Sequence, residues 1–203
     1  MKKLLKSMAL ILALVMLLGI TPLTALSEHA NTEFSTQSSD TDDITADFEC
    51  TSVLAHVRLI VAKPSGPILR SDVSLLTDLM FLSQDIASLA GIEHFAALER
   101  LLVVYGELTE LDVSNNHALT TLLIAGNKLT TLDISQNTAL RQLNLTGNQL
   151  TTLDVSNNTA LEGLFVSNNQ LTELDVSSNP ALVVLYCYSN RLARLDLSNN
   201  TGL

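Results

Sequence analysis

Five aspartates recur at a fixed spacing in the second half of this 203-residue chain, and each stands two residues before a serine. Carboxylates stacked on neighbouring strands repel one another unless they accept hydrogen bonds or bind a cation. Carboxylate and hydroxyl oxygens suit calcium, but the surrounding sequence lacks the glycine-rich pattern of calcium-binding β-rolls. We therefore predict a structural ladder without metal or cofactor, and keep a calcium-stabilised roll as the alternative. Its members are Asp112, Asp133, Asp154, Asp175 and Asp196.

The histidines and cysteines form no pattern that is typical of an active site. The four histidines are His29, His56, His94 and His117. None stands beside a nucleophile or at the spacing of metal ligands. Cys50 and Cys187 are too far apart in a rod-shaped protein to form a disulfide bond. The sequence predicts a protein that is not an enzyme.

A second set of residues varies from repeat to repeat and becomes more apolar and aromatic toward the C-terminus. These residues alternate with leucines, so on a strand they would point away from the core. Tyrosine-rich patches on a rigid surface are typical anchors for protein or sugar ligands. The alternative is ordinary surface decoration, because single exposed aromatic residues are common, or an edge effect of a truncated end. The predicted binding residues are Leu123, Asn144, Phe165, Val184, Tyr186 and Tyr188.

A 21-residue repeat must position both sets of residues. Its framework is L-x-x-L-x-(apolar)-x-x-N-x-L-x-x-L-D-(apolar)-S-x-N-x-A, with a leucine column at Leu119, Leu140, Leu161, Leu182 and Leu203. A fixed period this short predicts a solenoid whose turns bury apolar edges against neighbouring turns. Apolar and polar residues alternate at 143–145 and again at 153–155, which predicts two short strands in each turn.

Two columns of asparagine close the two halves of each turn. Asparagine side chains bond backbone groups in tight bends and tolerate turn conformations. We predict two internal ladders in which every amide both donates and accepts hydrogen bonds, so that no buried polar atom lacks a partner. The first ladder is Asn127, Asn148, Asn169 and Asn190, and the second is Asn116, Asn137, Asn158 and Asn179.

This repeat resembles the 21-residue leucine-rich repeats of bacterial secreted, internalin-like proteins, with nested halves of the IRREKO type. The resemblance covers residues 98–203 and implies a β-rich leucine-rich-repeat solenoid with two short parallel strands per turn and a small helical N-terminal cap. It also implies a bacterial source and a role in adhesion or in host or cell-wall interaction. The family's cysteine ladder does not carry over, because Cys187 alone fills the corresponding column.

The N-terminal half divides into three predicted segments ahead of the repeats. Residues 1–27 read as a signal peptide, with three lysines before an apolar run that is shorter than the roughly 20 residues a membrane span needs. An uncleaved anchor is the alternative. Residues 28–47 are predicted to be a disordered Ser/Thr/Asp-rich linker. Residues 48–97 are predicted to form the cap and an irregular first turn, with a helix over 51–63.

Charge and organisation together define the expected partners. The formal net charge is −10, which disfavours nucleic acid and anionic lipid. We expect a secreted or cell-surface binding module for an extracellular protein or glycan, without a membrane span after signal cleavage. The alternative is a structural spacer or a fragment of a longer surface protein with no ligand of its own. No capping sequence follows the repeats, so self-association through an open C-terminal end is a further expectation.

Overall fold

The computed structural model describes residues 42–82 and 85–203, so the predicted signal peptide and most of the predicted linker lie outside the described residues. Helix α1 spans Thr51–Ile60 and helix α2 spans Arg70–Val73. Two 3-10 helices span Thr45–Asp47 and Ile92–His94. The strands are β1 (Asp78–Phe81), β2 (Arg100–Val104), β3 (Thr121–Ala125), β4 (Gln142–Asn144), β5 (Gly163–Phe165) and β6 (Val184–Tyr186).

The six strands form one parallel sheet in the order β1 to β6. Leu122 pairs with Leu143, and Leu143 pairs with Leu164 on the next strand, so the register does not shift from one turn to the next. This register puts the leucines of each column on one face of the sheet. In the column that contains Leu122, Leu143 and Leu164, these three leucines are fully buried. The predicted leucine-rich-repeat solenoid is therefore confirmed, because apolar residues at a constant period stack only against their counterparts in adjacent turns.

Each described turn contains one strand, so the prediction of two strands per turn is wrong for the second segment. Residues 153–155, where the second strand was expected, have no strand assignment. A carbonyl group there is bonded by a side chain of the next turn: Asn179 Nδ2 donates to Val155 O at 3.0 Å, and also to Asn158 O at 2.9 Å. Side-chain amides therefore take the place that strand hydrogen bonds would have between turns.

The N-terminal segment packs on the first turns and begins earlier than predicted. Val53 and Val57 of α1 are buried in the same core as Leu79 of β1. The predicted helix ends at Ile60 instead of residue 63, ahead of the Pro64-Ser-Gly-Pro67 sequence. Ile44 is only 2% exposed, and its N–H donates to Ile68 O at 2.9 Å. Residues 42–47 are thus ordered, although the linker was predicted to extend to residue 47.

The first asparagine ladder accepts and donates hydrogen bonds as predicted. Asn148 Nδ2 donates to Ile124 O at 2.6 Å and to Leu145 O at 3.0 Å. Its Oδ1 accepts the Leu129 N–H at 3.1 Å. The same arrangement holds Asn127, Asn169 and Asn190.

The second ladder donates only, so the prediction that it also accepts is wrong. Among the described residues, its Oδ1 atoms are buried and have no hydrogen-bond partner, at Asn116, Asn137, Asn158, Asn179 and Asn200. The N–H groups of this bend are used locally, since Asn158 N–H donates to Val155 O and Leu161 N–H donates to Asn158 O, both at 3.0 Å. Turning the amide over would place Oδ1 against two carbonyl oxygens, which is worse than leaving it unpaired.

Candidate binding surface

Four of the six predicted binding residues lie together at the C-terminal end of the sheet. Tyr186 is 53% exposed, Tyr188 62% and Val184 36%, and Phe165 is partly exposed beside them. Phe165 pairs with Tyr186 across β5 and β6, with ring centroids 5.2 Å apart and ring planes at 66°. We call Phe165, Val183, Val184, Tyr186 and Tyr188 the aromatic patch.

A glycine makes room for the aromatic ring in this patch. Gly163 stands two residues before Phe165, where β2, β3 and β4 carry Arg100, Thr121 and Gln142. A Cβ atom on Gly163 would lie 2.2 Å from Gln142 Oε1 and 3.1 Å from Phe165 Cε2. Any larger side chain at this position would therefore displace the ring or the glutamine.

The other two predicted binding residues are buried, and the structure corrects their assignment to the surface. Leu123 is 2% exposed and Asn144 is 8% exposed. Asn144 also acts within its own turn, because its Oδ1 accepts the Thr146 N–H at 3.0 Å. Burial at these strand positions could not be read from the alternation of apolar and polar residues, because that pattern gives the direction of a side chain and not what covers it.

Val183 belongs to the aromatic patch although the sequence reasoning did not select it. It is 55% exposed and lies next to Val184. The equivalent positions in earlier turns are Thr120, Arg141 and Glu162, all polar. The change from polar to apolar in this column was the sequence signal that could have identified it.

The aspartate column lies in the second half of each turn, and its carboxylates accept hydrogen bonds there. The Oδ1 atoms of all five aspartates accept the backbone N–H of the serine two residues later at 2.8 or 2.9 Å. Hydrogen bonds from the serine hydroxyl, and then from its N–H, lower the pKa of Asp112, Asp154 and Asp175. At Asp133 and Asp196 the N–H is the larger cause of the lowered pKa.

These lowered pKa values predict a loss of stability in acid. A carboxyl group with a folded-state pKa below its unfolded value stabilises the protein above the unfolded pKa, about 3.9 for aspartate, and that contribution disappears as the pH falls through the folded pKa. We expect the Tm to fall as the pH is lowered below about 5, most steeply below about 3.9, and to fall less in a variant with Asp133→Asn and Asp154→Asn. Thermal unfolding followed by circular dichroism measures both responses.

The matched control for this pH experiment is Glu110→Gln with Glu173→Gln, which removes two charges outside the aspartate column. This control should keep the acid response of the parent chain. If the two double variants respond equally to acid, the loss of stability reflects total charge and the serine hydrogen bonds do not cause it.

One group in the described part of the chain has the spacing of metal ligands: Asp47, Glu93 and His94, with candidate ligand atoms within 4.8 Å of one another. Arg70 Nη1 lies 2.7 Å from His94 Nδ1, and His94 Nε2 lies 2.7 Å from Asp47 Oδ2. Because arginine can only donate, Nδ1 accepts and Nε2 carries the proton. His94 Nε2, the nitrogen that faces the carboxylates, is thus a hydrogen-bond donor. Through these bonds, Asp47, His94 and Arg70 join the N-terminal segment to the first turns.

A parallel sheet with one strand in each turn, and with two asparagine-lined bends in each turn from Leu119 onward, defines an internalin-like leucine-rich-repeat solenoid, a fold that suggests a protein-interaction module. Two solved structures from Listeria monocytogenes are similar. One is the internalin InlF (25% identity, TM-score 0.73), with 83% of this chain and 52% of that chain covered. The other is the functional domain of InlJ, which includes a cysteine ladder (28% identity, TM-score 0.55), with 80% and 46% covered.

The chain thus spans about half the length of these two structures. No family model matches the sequence, and a search of curated proteins finds no match either. None of the helices in residues 42–82 and 85–203 has both the length and the apolar character that crossing a membrane requires.

Proposed function

We propose that this protein is a secreted or cell-surface binding module that recognises an extracellular protein through the aromatic patch. The single observation that carries the proposal is the contact between Phe165 and Tyr186 beside the exposed Tyr188 and two exposed valines. Apolar side chains of this size are normally buried, and a cluster of them on a folded surface is typical of an interaction site. The N-terminal apolar run of the sequence supports export.

The sheet supplies a rigid support for these side chains. Phe165 and Tyr186 lie on paired strands, and the preceding residues Leu164 and Leu185, which also pair, pack into the core, Leu164 fully and Leu185 partly buried. Binding therefore requires little ordering of the backbone, which removes one of the main free-energy costs of association. Tyrosine adds a large contact area with few rotatable bonds and a hydroxyl that can bond at the edge of the interface.

The chemistry of the aromatic patch favours a protein over a glycan. Val183 and Val184 extend the rings with aliphatic surface, and both are at least 36% exposed. A branched aliphatic surface matches the apolar core of a protein interface, whereas sugars stack on rings and hydrogen-bond to polar side chains beside them. Glycan binding is therefore kept as an outcome of the test.

The test compares the parent chain with a variant carrying Tyr186→Ala and Tyr188→Ala on arrays of purified extracellular proteins and of glycans. Hot-spot tyrosines contribute about 2 kcal/mol or more, and each 1.4 kcal/mol is about tenfold in Kd. We expect the double variant to bind its protein partner at least about a hundredfold more weakly. Leu75→Ala is the matched control, because Leu75 is 83% exposed but lies outside the sheet.

Three outcomes separate the candidate functions. A protein partner that is lost with the tyrosines and retained by the leucine control supports the proposal. Binding confined to the glycan array replaces the protein partner with a sugar. Binding that survives the double tyrosine change, or no binding at all, contradicts the aromatic patch and favours a structural spacer.

A further inference from the structure

One position in each turn, just after the strand, has a left-handed backbone. In successive turns it is occupied by Tyr105, Gly126, Gly147, Asn168 and Ser189, with φ from 55° to 74°. Glycine and asparagine adopt this conformation readily, whereas a bulky side chain there is strained. Such strain persists only where the surrounding contacts hold it, and it is often found at binding sites. Tyr105 is thus the unusual member of this column.

The Tyr105 ring lies over the next turn and stays partly exposed. A Cβ atom on Gly126 would be 2.6 Å from Tyr105 Cδ1, so the ring rests on the bare backbone of this glycine. The tyrosine is 43% exposed. One turn further, a Cβ atom on Gly147 would have, apart from its chain neighbours, only the Gly126 backbone within 4 Å among the described residues. The two glycines therefore leave an open strip of backbone beside the ring.

Polar side chains without partners border this strip. Within residues 42–82 and 85–203, neither the partly exposed Thr146 hydroxyl nor the exposed Asn168 side-chain amide has a hydrogen-bond partner. Ser167 occupies the same column as Thr146, is 1% exposed, and its Oγ has no partner in that part of the chain either. Leu164 and Val166 take the inward positions of this turn, so Ser167 belongs to the outward row. A buried hydroxyl without a partner costs free energy that a ligand hydroxyl can offset.

The strip carries no charged side chain. The charged residues two positions further along the chain, Glu107 and Lys128, form an ion pair with each other. The formal net charge of −10 also disfavours an acidic ligand. An exposed ring beside hydroxyl and amide groups suits a sugar, whose C–H face packs on the ring while its hydroxyls bond the polar groups.

We propose that this strip is a binding site for an uncharged oligosaccharide. We call it the tyrosine shelf, formed by Tyr105, Gly126, Thr146, Gly147, Ser167 and Asn168. From Tyr105 to Asn168 it crosses three turn spacings, about 14 Å, which is longer than a single sugar ring. One sugar packs on Tyr105, and the next units lie over Gly147 and reach the groups of Thr146, Ser167 and Asn168.

The tyrosine shelf is a different site from the aromatic patch. It adjoins the patch at Asn168, whose N–H donates to Tyr188 O at 3.0 Å. Its aromatic residue, however, follows β2, three strands away from Phe165 on β5. The valines of the patch have no counterpart on the shelf. A sugar bound here therefore leaves the protein partner of the patch undecided, and the two sites are tested by different variants.

The experiment uses two substitutions that copy residues from equivalent positions of the repeat. Tyr105→Gly removes the ring and introduces the residue found at Gly126. Gly147→Asn fills the shelf with the residue found at Asn168, which has the same left-handed backbone. Both variants are therefore expected to fold, and urea denaturation checks each. The matched control is the variant with Tyr186→Ala and Tyr188→Ala, which removes exposed rings from the patch alone.

Binding is measured on tetrasaccharides of glucose, mannose, galactose and N-acetylglucosamine, with sialylated and sulfated tetrasaccharides beside them. We expect the parent chain to bind at least one uncharged tetrasaccharide. We expect each shelf variant to bind it at least about tenfold more weakly, because it loses either the ring contact or the space for the sugar. The double tyrosine control should bind it within about twofold of the parent chain.

The outcomes either support or overturn the proposal. Weakening by both shelf variants, with binding retained by the control, supports it. Failure to bind any uncharged tetrasaccharide overturns it, as does binding confined to the charged sugars. Binding that is equal in the parent chain and in a folded shelf variant also overturns it. Loss of the sugar in the control alone places the sugar on the aromatic patch, and this result overturns the tyrosine shelf.

Discussion

Leu161→Ala is expected to lower the free energy of unfolding by about 4 kcal/mol, and Leu203→Ala by less than about 1 kcal/mol. Both leucines occupy the same column of the repeat, but Leu161 is fully buried and Leu203 is 46% exposed. Removal of a buried leucine side chain loses transfer free energy and leaves a cavity between two turns, whereas an exposed edge residue loses little of either. Urea denaturation followed by circular dichroism gives both values.

This comparison holds the chemical change and the repeat position constant. Only the presence of a following turn differs, since the turn that starts at Leu182 covers Leu161. Equal losses at the two positions would contradict stacking between turns as the source of the core. A large loss at Leu203 alone would indicate that the Leu203 side chain is covered in solution.

Asn148→Ala is expected to cost about 4 kcal/mol and Asn158→Ala about 2 kcal/mol, from roughly 1–3 kcal/mol for each buried group left without a partner and about 1 kcal/mol for each bond lost by a group that keeps another. The first change removes the side-chain partners of Ile124 O and Leu129 N–H, whereas Leu145 O keeps the bond from Asn169 Nδ2. The second removes two bonds from carbonyl groups that each keep a backbone N–H donor, and it also removes an Oδ1 atom that has no partner in the described part of the chain.

The decisive comparison is which of the two variants loses more free energy of unfolding. Both asparagines lie inside the same pair of turns, so urea denaturation of the two variants compares like with like. A loss at Asn158 as large as that at Asn148 would mean that the Oδ1 of the second ladder contributes a hydrogen bond after all. The accepting role that the structure assigns to the first ladder alone would then be wrong.

The period of the leucines was sufficient to predict the solenoid and its register. Leu122 and Leu143 pair as the repeat requires, because an in-register stack is the only arrangement that buries both. The count of strands could not be predicted in the same way. The alternation at 153–155 matches a strand, but Asn179 Nδ2 takes the Val155 carbonyl group that a strand partner would need. Local sequence gives the direction of side chains and not the choice between competing hydrogen-bond donors.

The candidate site was predictable in part for a related reason. Tyr186 and Tyr188 were identified because the variable columns become more apolar and aromatic toward the C-terminal turns, and the structure places both at the exposed end of the sheet. Leu123 and Asn144 followed the same alternation and are buried. Exposure depends on what packs against a position from outside its own repeat, and a repeat pattern contains no information about that.

The sequence by itself determined the 21-residue period, the leucine face and the positions of both asparagine ladders. These features are local and repeat identically, so one turn specifies the next. Only the tertiary structure decided which ladder accepts hydrogen bonds, how Phe165 meets Tyr186, and that Leu123 and Asn144 are buried. Those properties depend on contacts between different turns, where side chains that are unrelated in sequence compete for the same space and the same donors.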